Sequence, residues 1–256
     1  MYDFHTHTTY SDGRFMGWMA RTAESAGYDG IGFADHCTVS TREPQRSYRR
    51  RRGFNLDLTY ERRRAAIDEV REAVSIPLYD AAEVDYHPDD EAEIASLLDE
   101  AEFDYALGSV HFLDGHNVHH EEPFAAADEA TRREYVDRYV EKLVALIESE
   151  LFEIASHPDL VERNSVLRGV ATRDHYERVA DAFAASRTVP EINAGRALRD
   201  YGKFHPRPAF AEVLLDRGIA FTPGTDSHTP DQLEARHDPL ADRFAELGIE
   251  PIHPLG

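Results

Sequence analysis

The chain has 256 residues, of which 41% are hydrophobic, and this length and composition suit one globular domain over residues 1–256. Its 49 acidic and 28 basic residues give a formal net charge of −21, which argues against nucleic-acid binding because such a surface repels phosphate backbones. No apolar run reaches the roughly 20 residues that span a bilayer, the N-terminus lacks signal-peptide features, and the single cysteine excludes an internal disulfide, so we expect a cytoplasmic protein without a membrane partner.

The basic residues are almost all arginines. All of them except Lys142 and Lys203 are arginines. An acidic surface with few lysines is typical of proteins from a salt-loaded cytoplasm, where ions screen self-repulsion, although a GC-rich genome also favours arginine over lysine. The composition is therefore halophile-like, and it says nothing about the oligomeric state.

Short apolar runs alternate with longer helical patterns along the whole chain. The predicted strands are Tyr2–His5, Gly30–Asp35, Leu78–Val84, Tyr105–Val110, Phe152–Ser156, Val189–Asn193 and Ile219–Gly224. The predicted helices are Met16–Ala26, Thr59–Val74, Asp90–Ala101, Thr131–Glu148, Thr172–Ala185, Arg207–Asp216 and Asp231–Leu247. Thr131, three residues before Glu134, has the spacing of a capping box. Seven strand–helix repeats predict parallel strands joined by right-handed crossovers.

Polar residues with metal-binding side chains stand at the ends of these strands. In chain order they are His5, His7 and Asp12, His36, Glu83, His111, His157, and Asp226 with His228. His5 and His7 are two positions apart, so on a strand they share one side. A doubly wound sheet concentrates its site at one switch point, whereas a barrel spreads it over most strand ends. The pattern favours a barrel with a metal site at the carboxyl ends of its strands.

Nine candidate ligands exceed what a single ion can take. Zinc binds about four ligands, and octahedral manganese or iron about six with water included. Imidazole and carboxylate together, without thiolate, suit zinc, manganese or iron. We therefore expect two or three divalent transition metals that share a bridging carboxylate. Asp35 and Asn193, which also lie at strand ends, are interpreted as groups that orient these ligands.

The segments around these residues resemble a known family. The motifs HTHTTYSDG, FADH, EVDY, GSVHFLDG, SHPDL, EIN and GTDSH are similar to those of the PHP (polymerase and histidinol phosphatase) superfamily, in the same order, from residue 3 to residue 228. Within it, 108–115 and 191–208 resemble the histidinol-phosphatase-type members. Many of those have a histidine where this chain has Asp12, whereas other PHP phosphoesterases have aspartate there.

The resemblance implies a distorted (β/α)7 barrel, TIM-barrel-like, with a trinuclear metal site. Transferred motif by motif, the ligands would divide into His5, His7, Glu83 and Asp226 for the first metal, Asp12, His36 and His228 for the second, and His111 and His157 with bridging Glu83 for the third. It further implies a phosphomonoester hydrolase, with histidinol phosphate as the first candidate substrate and a nucleotide or other small phosphate ester as the alternative.

The mechanism follows as a hypothesis. A metal-bridging hydroxide would attack phosphorus in line, with catalytic roles for Glu83, Asp226 and His228 and with Asp226 as a proton acceptor. Guanidinium groups suit a phosphate dianion, and the candidates that follow the fifth and sixth strands are Arg163, Arg196 and Arg199. The ammonium group of histidinol phosphate would need an acidic neighbour, for which the candidates are Asp114, Glu121 and Glu122.

Several alternatives stay open from the sequence. A metal-dependent amidohydrolase shares the His-x-His strand but often needs a bridging strand-end lysine, which Lys142 and Lys203 do not supply. A nuclease is disfavoured by the net charge, and a non-catalytic metal-binding domain would normally have lost ligands. The run Arg46–Arg52 is interpreted as a solvated loop rather than a lid. His116, His119 and His120 are interpreted as loop residues and Cys37 as a packed thiol.

Overall fold

Seven parallel strands form the frame of the protein in this computed structural model, which describes residues 1–256. The strands are β1 (Tyr2–Thr6), β2 (Gly30–Cys37), β3 (Leu78–Asp85), β4 (Tyr105–Ser109), β7 (Ile154–Ala155), β8 (Val189–Asn193) and β9 (Thr222–Gly224), with an antiparallel hairpin of β5 (Phe112–Leu113) and β6 (His116–Asn117) between β4 and β7. The seven strands pair in chain order, β1-β2-β3-β4-β7-β8-β9. Chain order without a reversal is the topology of a barrel rather than of a doubly wound sheet.

The first and last strands meet and close the barrel. The backbone N–H of Asp226 donates to the carbonyl of His5 at 2.8 Å, and that of His7 donates to the carbonyl of Ser227 at 2.9 Å. A parallel bridge also joins Thr6 to Ser227. The predicted (β/α)7 barrel is thereby confirmed, and the closure brings the two ends of the chain's motif series side by side.

Eight helices surround the strands: α1 (Met16–Ala26), α2 (Glu43–Arg52), α3 (Tyr60–Arg71), α4 (Glu91–Ala101), α5 (Glu129–Glu148), α6 (Arg173–Ala184), α7 (Pro208–Asp216) and α8 (Pro230–Leu247). All except α2 were predicted, with boundaries that differ by a few residues. None of the helices combines the length and apolarity needed to cross a membrane.

Two helix starts differ from the sequence interpretation. The α5 helix begins at Glu129 because Asp128 accepts a hydrogen bond from the backbone of Thr131, so the predicted Thr131 cap is wrong. The segment read as an arginine-rich loop is the helix α2, which ends at Gly53 in a left-handed conformation with φ of 75°. Its four consecutive arginines hid the helix because they leave little apolar periodicity.

Side chains from five neighbouring strands meet inside the barrel. The cluster consists of Phe4, Ala34, Ala81, Tyr105, Leu107 and Ile154. The hydroxyl of Tyr105 donates to the carbonyl of Phe4 at 2.8 Å, and this close approach occupies the space where a side chain at Gly32 would lie. This apolar plug fills the barrel and leaves the polar strand ends at the mouth.

A buried arginine ties the second strand to the loop after the first. Arg63 on α3 is fully buried, and its guanidinium contacts the carboxylates of Asp35 and Asp80. Asp35 in turn accepts hydrogen bonds from the backbone of Thr8 at 2.7 Å and from the hydroxyl of Ser11 at 2.6 Å. The loop that carries the candidate ligands after β1 is thus held in a fixed position.

Candidate metal centre

All nine candidate ligands lie together at the carboxyl-terminal mouth of the barrel. They come from β1 and the loop after it (His5, His7, Asp12), from β2 (His36), from β3 (Glu83), and from the segments after β4 (His111), β7 (His157) and β9 (Asp226, His228). Positions separated by more than two hundred residues in sequence are neighbours here, because parallel barrel strands end at one face.

The carboxylate of Glu83 is the centre of the cluster. Its Oε2 lies 2.7 Å from His36 Nδ1, 3.4 Å from His5 Nε2 and 3.7 Å from His7 Nε2. Its Oε1 lies 2.9 Å from the Nε2 of His157. The Nε2 of a fifth imidazole, from His111, lies 3.5 Å from the same Oε1. A carboxylate with imidazoles on both oxygens is suited to bridge two ions.

A second group of metal-binding side chains lies at the same mouth. The ligand atoms of His7, Asp12, His36 and His228 all lie within 4.8 Å of one another. Asp12 Oδ1 is 3.3 Å from His228 Nε2. This group overlaps two others, His5-His7-Glu83 and His36-Glu83-His111, so adjacent ions would share ligands.

Asp226 lies beside His7, the residue shared by the His5-His7-Glu83 group and the His7-Asp12-His36-His228 group. Its Oδ1 is 3.5 Å from His7 Nε2 and 3.7 Å from His228 Nδ1. Its backbone has a φ of 51°, and His157 has a φ of 28°, both in the region that favours glycine. Strained backbone at two candidate ligands is typical of functional sites, where the surrounding structure holds a costly conformation.

Several buried nitrogen and oxygen atoms in the cluster have no hydrogen-bond partner. They are His5 Nε2, His7 Nε2, His157 Nδ1 and Asp12 Oδ1. Leaving such atoms unsatisfied in the interior costs about 1–3 kcal/mol each. A divalent cation at each overlapping group would satisfy them, so the residues present fit the metals that the sequence predicts.

Carboxylates behind two of the imidazoles orient the rings. Glu191 Oε1 is 2.8 Å from His5 Nδ1, and Asp85 Oδ1 is 2.7 Å from His111 Nδ1. A proton on each Nδ1 leaves the Nε2 lone pair directed at the cluster. Burial lowers the pKa of both His7 and His157 to about 4, and the neutral imidazole is the form that binds metal.

Glycine is required at two positions beside the cluster. A side chain at Gly224 would overlap the Oε1 of Glu191, and one at Gly195 would lie 2.4 Å from Asp226 Oδ2. Because glycine has no Cβ, the carboxylates of Glu191 and Asp226 can approach the backbone at these two positions.

The three arginines predicted to bind phosphate all line the same cavity, of about 360 Å³, as seven of the nine candidate ligands. Arg163 Nη2 donates to Asp226 Oδ2 at 3.1 Å and to Asn193 Oδ1 at 3.3 Å. Arg196 is half-buried, and its guanidinium makes neither a hydrogen bond nor an ion pair with the protein; burial and its neighbours Arg163 and Arg199 lower its pKa. A partnerless guanidinium in a cavity is ready for an anion.

Residues of the unpredicted helix α2 form another part of the cavity wall. Tyr48, Arg49 and Arg52 line the cavity, and Arg52 Nη1 donates to Asp12 Oδ2 at 2.8 Å. The interpretation of this segment as a solvated loop is therefore wrong for Arg52. Its helix places a guanidinium on a candidate ligand from forty residues away in sequence.

The loop histidines divide into two groups. His119 and His120 line the cavity, whereas His116 does not and its ring contacts Phe124. Cys37 is buried at the edge of the cavity, and burial raises the pKa of its thiol, as fits a packed thiol.

The acids predicted for a substrate ammonium group lie outside the cavity. Asp114 pairs with Arg138, and Glu121 accepts a hydrogen bond from the backbone of Ser165. Glu122 does not line the cavity either. The prediction for these three acids is therefore wrong, because the loop after β4 turns them outward.

Three residues with clear roles were missed in the sequence. Glu191 and Asp85 orient imidazoles, and His205 accepts a hydrogen bond from Arg163 Nε at 2.9 Å. Glu191 and Asp85 stand at strand ends, which was a usable signal. His205 lies in the loop between β8 and α7, so no periodicity distinguishes it.

Comparison with known proteins gives one family. A model described as "PHP domain" matches residues 3–195. A Deinococcus radiodurans protein named "Probable histidinol-phosphatase" is 24% identical over 166 residues, or 65% of this chain, and the chain spans only 63% of that protein's length.

Two crystal structures share the fold. A Listeria monocytogenes protein described as a candidate histidinol phosphatase, hisK, superimposes with a TM-score of 0.77 at 17% identity and covers 91% of this chain and 97% of its own. The histidinol phosphate phosphatase of Lactococcus lactis, crystallised with zinc, L-histidinol and phosphate, also has a TM-score of 0.77, at 18% identity, and covers 98% and 95%. The family model spans most of the chain and includes seven of the nine candidate ligands, so this chain belongs to the PHP domain family.

Proposed function

We propose that this chain is a metal-dependent phosphomonoesterase of the histidinol-phosphatase type. The observation that supports it most is the cavity that seven of the nine metal-binding side chains line together with Arg163, Arg196 and Arg199. A cluster of imidazole and carboxylate groups beside arginines suits a phosphate dianion better than an uncharged amide.

The residues would divide the work in three ways. His5, His7, Glu83 and Asp226 would hold one ion, Asp12, His36 and His228 a second, and His111 and His157 with Glu83 a third. When bound, the ions would supply a water molecule that ionises near neutral pH and positive charge for the phosphate oxygens. Zinc, manganese and iron all suit these donors.

Protein groups would orient the substrate and move one proton. Arg163 is fixed against Asp226, so the phosphate and the carboxylate would lie on opposite sides of one guanidinium. Arg196, which has no protein partner, would bind a second phosphate oxygen. Asp226 Oδ1, which lies 3.5 Å from His7 Nε2 and 3.7 Å from His228 Nδ1, would accept the proton of the attacking water. Glu83 and His228 would act in catalysis by holding the metal ions in position.

Histidinol phosphate is the first substrate to test, because the Deinococcus radiodurans relative and the Lactococcus lactis structure carry that name. A second candidate is another small phosphate ester, such as a nucleotide. It is favoured by a specific observation: Arg49 and Arg52 also line the cavity, whereas Asp114, Glu121 and Glu122, the acids expected for an ammonium group, do not.

The amidohydrolase alternative has little support. Lys142 donates to the carbonyl of Phe112 at 2.8 Å and lines a different cavity. Lys203 is exposed in the loop before α7. Neither lysine is placed to bridge ions at the mouth of the barrel.

The proposal is tested with a panel of phosphomonoesters, including histidinol phosphate, sugar phosphates and nucleotides, each assayed with zinc, manganese and iron. We expect metal-dependent release of phosphate and a loss of turnover in His157→Ala, because one ion would lose a ligand. The matched control is His87→Ala, a partly exposed histidine outside the cavity, which should keep wild-type rates. Activity on nucleotides alone would retain the phosphoesterase and reject histidinol phosphate; no hydrolysis of any phosphoester under any loading would reject the proposal.

A further inference from the structure

A buried hydrogen-bonded chain behind the cavity ends on the arginine that faces the phosphate site. Arg163 ends a short 3-10 turn, Leu160–Arg163, and its side chain is only 9% exposed. Its Nε donates to His205 Nε2 at 2.9 Å, and its Nη2 donates to Asp226 and Asn193. Nη1 has no protein partner, and the residue lines the cavity, so one edge of the guanidinium is left for a ligand.

The contact with Arg163 determines where His205 carries its proton. A guanidinium has only donors, so the Nε2 of His205 must accept. The proton of the neutral ring is then on Nδ1, which donates to Asp159 Oδ1. His205 is fully buried, and the ring of Tyr201 stacks on it with centroids 5.0 Å apart. With both nitrogens engaged, His205 cannot serve as a metal ligand, unlike His5, whose Nε2 has no hydrogen-bond partner.

Asp159 is itself fixed by a second hydrogen bond. The backbone N–H of Arg207 donates to Asp159 Oδ2 at 2.7 Å. The carboxylate therefore needs an oxygen on both sides, one for Arg207 and one for His205. An asparagine would place its oxygen on the Arg207 N–H and its NH₂ group on the Nδ1 of His205. The ring would then have to protonate Nε2, which would confront the N–H of Arg163.

We propose that Asp159 and His205 form a positioning dyad that fixes His205 in the Nδ1–H tautomer and thereby holds Arg163 for the substrate phosphate. This role rests on the proposed phosphoesterase function. The dyad does not touch substrate; it acts through the Nε of Arg163. It explains why an aspartate and a histidine without metal contacts are buried behind the mouth of the barrel.

The variants distinguish an effect of the His205 tautomer from an effect of side-chain packing. Asp159→Asn keeps the shape of the side chain and reverses the required tautomer. His205→Leu removes the acceptor for Arg163, and His205→Gln keeps one, because its amide oxygen can take the place of Nε2. Asp99→Asn, an exposed aspartate on α4, is the matched control. Thermal unfolding of each zinc-loaded protein identifies variants that do not fold.

Three readouts are needed: the KM and kcat for the best phosphoester of the panel, the inhibition constant of inorganic phosphate, and the ¹⁵N spectrum of the histidine rings in zinc-loaded protein. In Asp159→Asn and His205→Leu we expect KM and the phosphate inhibition constant to rise by about 10- to 100-fold, the usual effect of losing a partner that orients a functional group, with a smaller change in kcat. His205→Gln should recover most of this loss. The wild-type His205 signal, identified by its absence in His205→Gln, should report an unprotonated Nε2.

The dyad is rejected if wild-type His205 carries its proton on Nε2, or if folded Asp159→Asn binds phosphate and substrate as well as the Asp99→Asn control. If Asp159→Asn does not fold, equal KM values for His205→Gln and His205→Leu reject it instead. Failure of the broader function is distinct, because it appears as a wild-type protein that hydrolyses no phosphoester.

Discussion

The arginines at the mouth of the barrel differ in how many of their guanidinium N–H groups already donate hydrogen bonds to the protein. Arg236 is buried and donates to the backbone carbonyls of Thr225, Asp226 and Gly195, so it supports the loop after β9. Arg163 is anchored on one edge. The guanidinium of Arg196 has no protein partner, so all of its N–H donors are available to a ligand.

Removing that free guanidinium gives a prediction at the residue scale. We expect Arg196→Met to raise the KM for phosphoesters by about 10- to 100-fold, because a hydrogen bond to a charged group contributes about 1.5–3 kcal/mol. Steady-state kinetics would measure this, with Arg178→Met, an exposed arginine on α6, as the matched control. Equal KM values for the two variants would remove Arg196 from the phosphate site.

At the scale of elements, α2 is the part of the fold that most changes the view of the site. Its sequence lacks an apolar stripe, yet Tyr48, Arg49 and Arg52 on it line the cavity. The ring of Tyr48 lies under the guanidinium of Arg52, 4.9 Å from its centre, which guides that side chain toward Asp12. The helix thus supports a candidate ligand of β1 from outside the barrel.

This contact predicts an effect on metal affinity. We expect Arg52→Met to weaken binding of the ion held by Asp12 by about tenfold, the lower end of the range for partners that orient ligands, because Arg52 is 41% exposed. Competition with a chromogenic zinc chelator would measure the change. Arg51→Met, one residue earlier on the same helix and facing solvent, is the control. Identical titrations for both variants would show that α2 does not support the ligand.

For the whole molecule, the metal cluster and the barrel closure are coupled. Ligands from β1 and from the segment after β9 lie across the seam that the Asp226–His5 backbone hydrogen bond closes. Bound ions would therefore connect the first and last strands and stabilise the native state by mass action, by about 3–4 kcal/mol at 100 to 1,000 times the dissociation constant.

Metal removal should therefore lower the melting temperature. We expect protein stripped by a chelator to unfold about 5–15 °C below the zinc-loaded protein, since 1 kcal/mol shifts a domain of this size by about 2–4 °C. Calorimetry with and without restored zinc would measure it, and His157→Ala should respond less than the wild type. A melting temperature that is independent of zinc would contradict a metal site at the seam.

Local patterns in the sequence determined the barrel and the candidate ligands. A buried parallel strand is a short apolar run, and the residues at its carboxyl end lie at a common face, so His36, Glu83 and His157 could be selected by position alone. The same logic found the other candidates except Asp12, which lies in the loop after β1.

Only the tertiary structure decided how these groups pair. Glu191 behind His5, His205 behind Arg163 and Arg52 on Asp12 are contacts between segments far apart in the chain. The acids expected to receive an ammonium group follow β4, and the loop there directs them away from the cavity. The ends of the strands can be predicted from the hydrophobic periodicity of each segment. Hydrogen-bond partners cannot, because they depend on how the barrel closes and on the direction in which each loop leaves its strand.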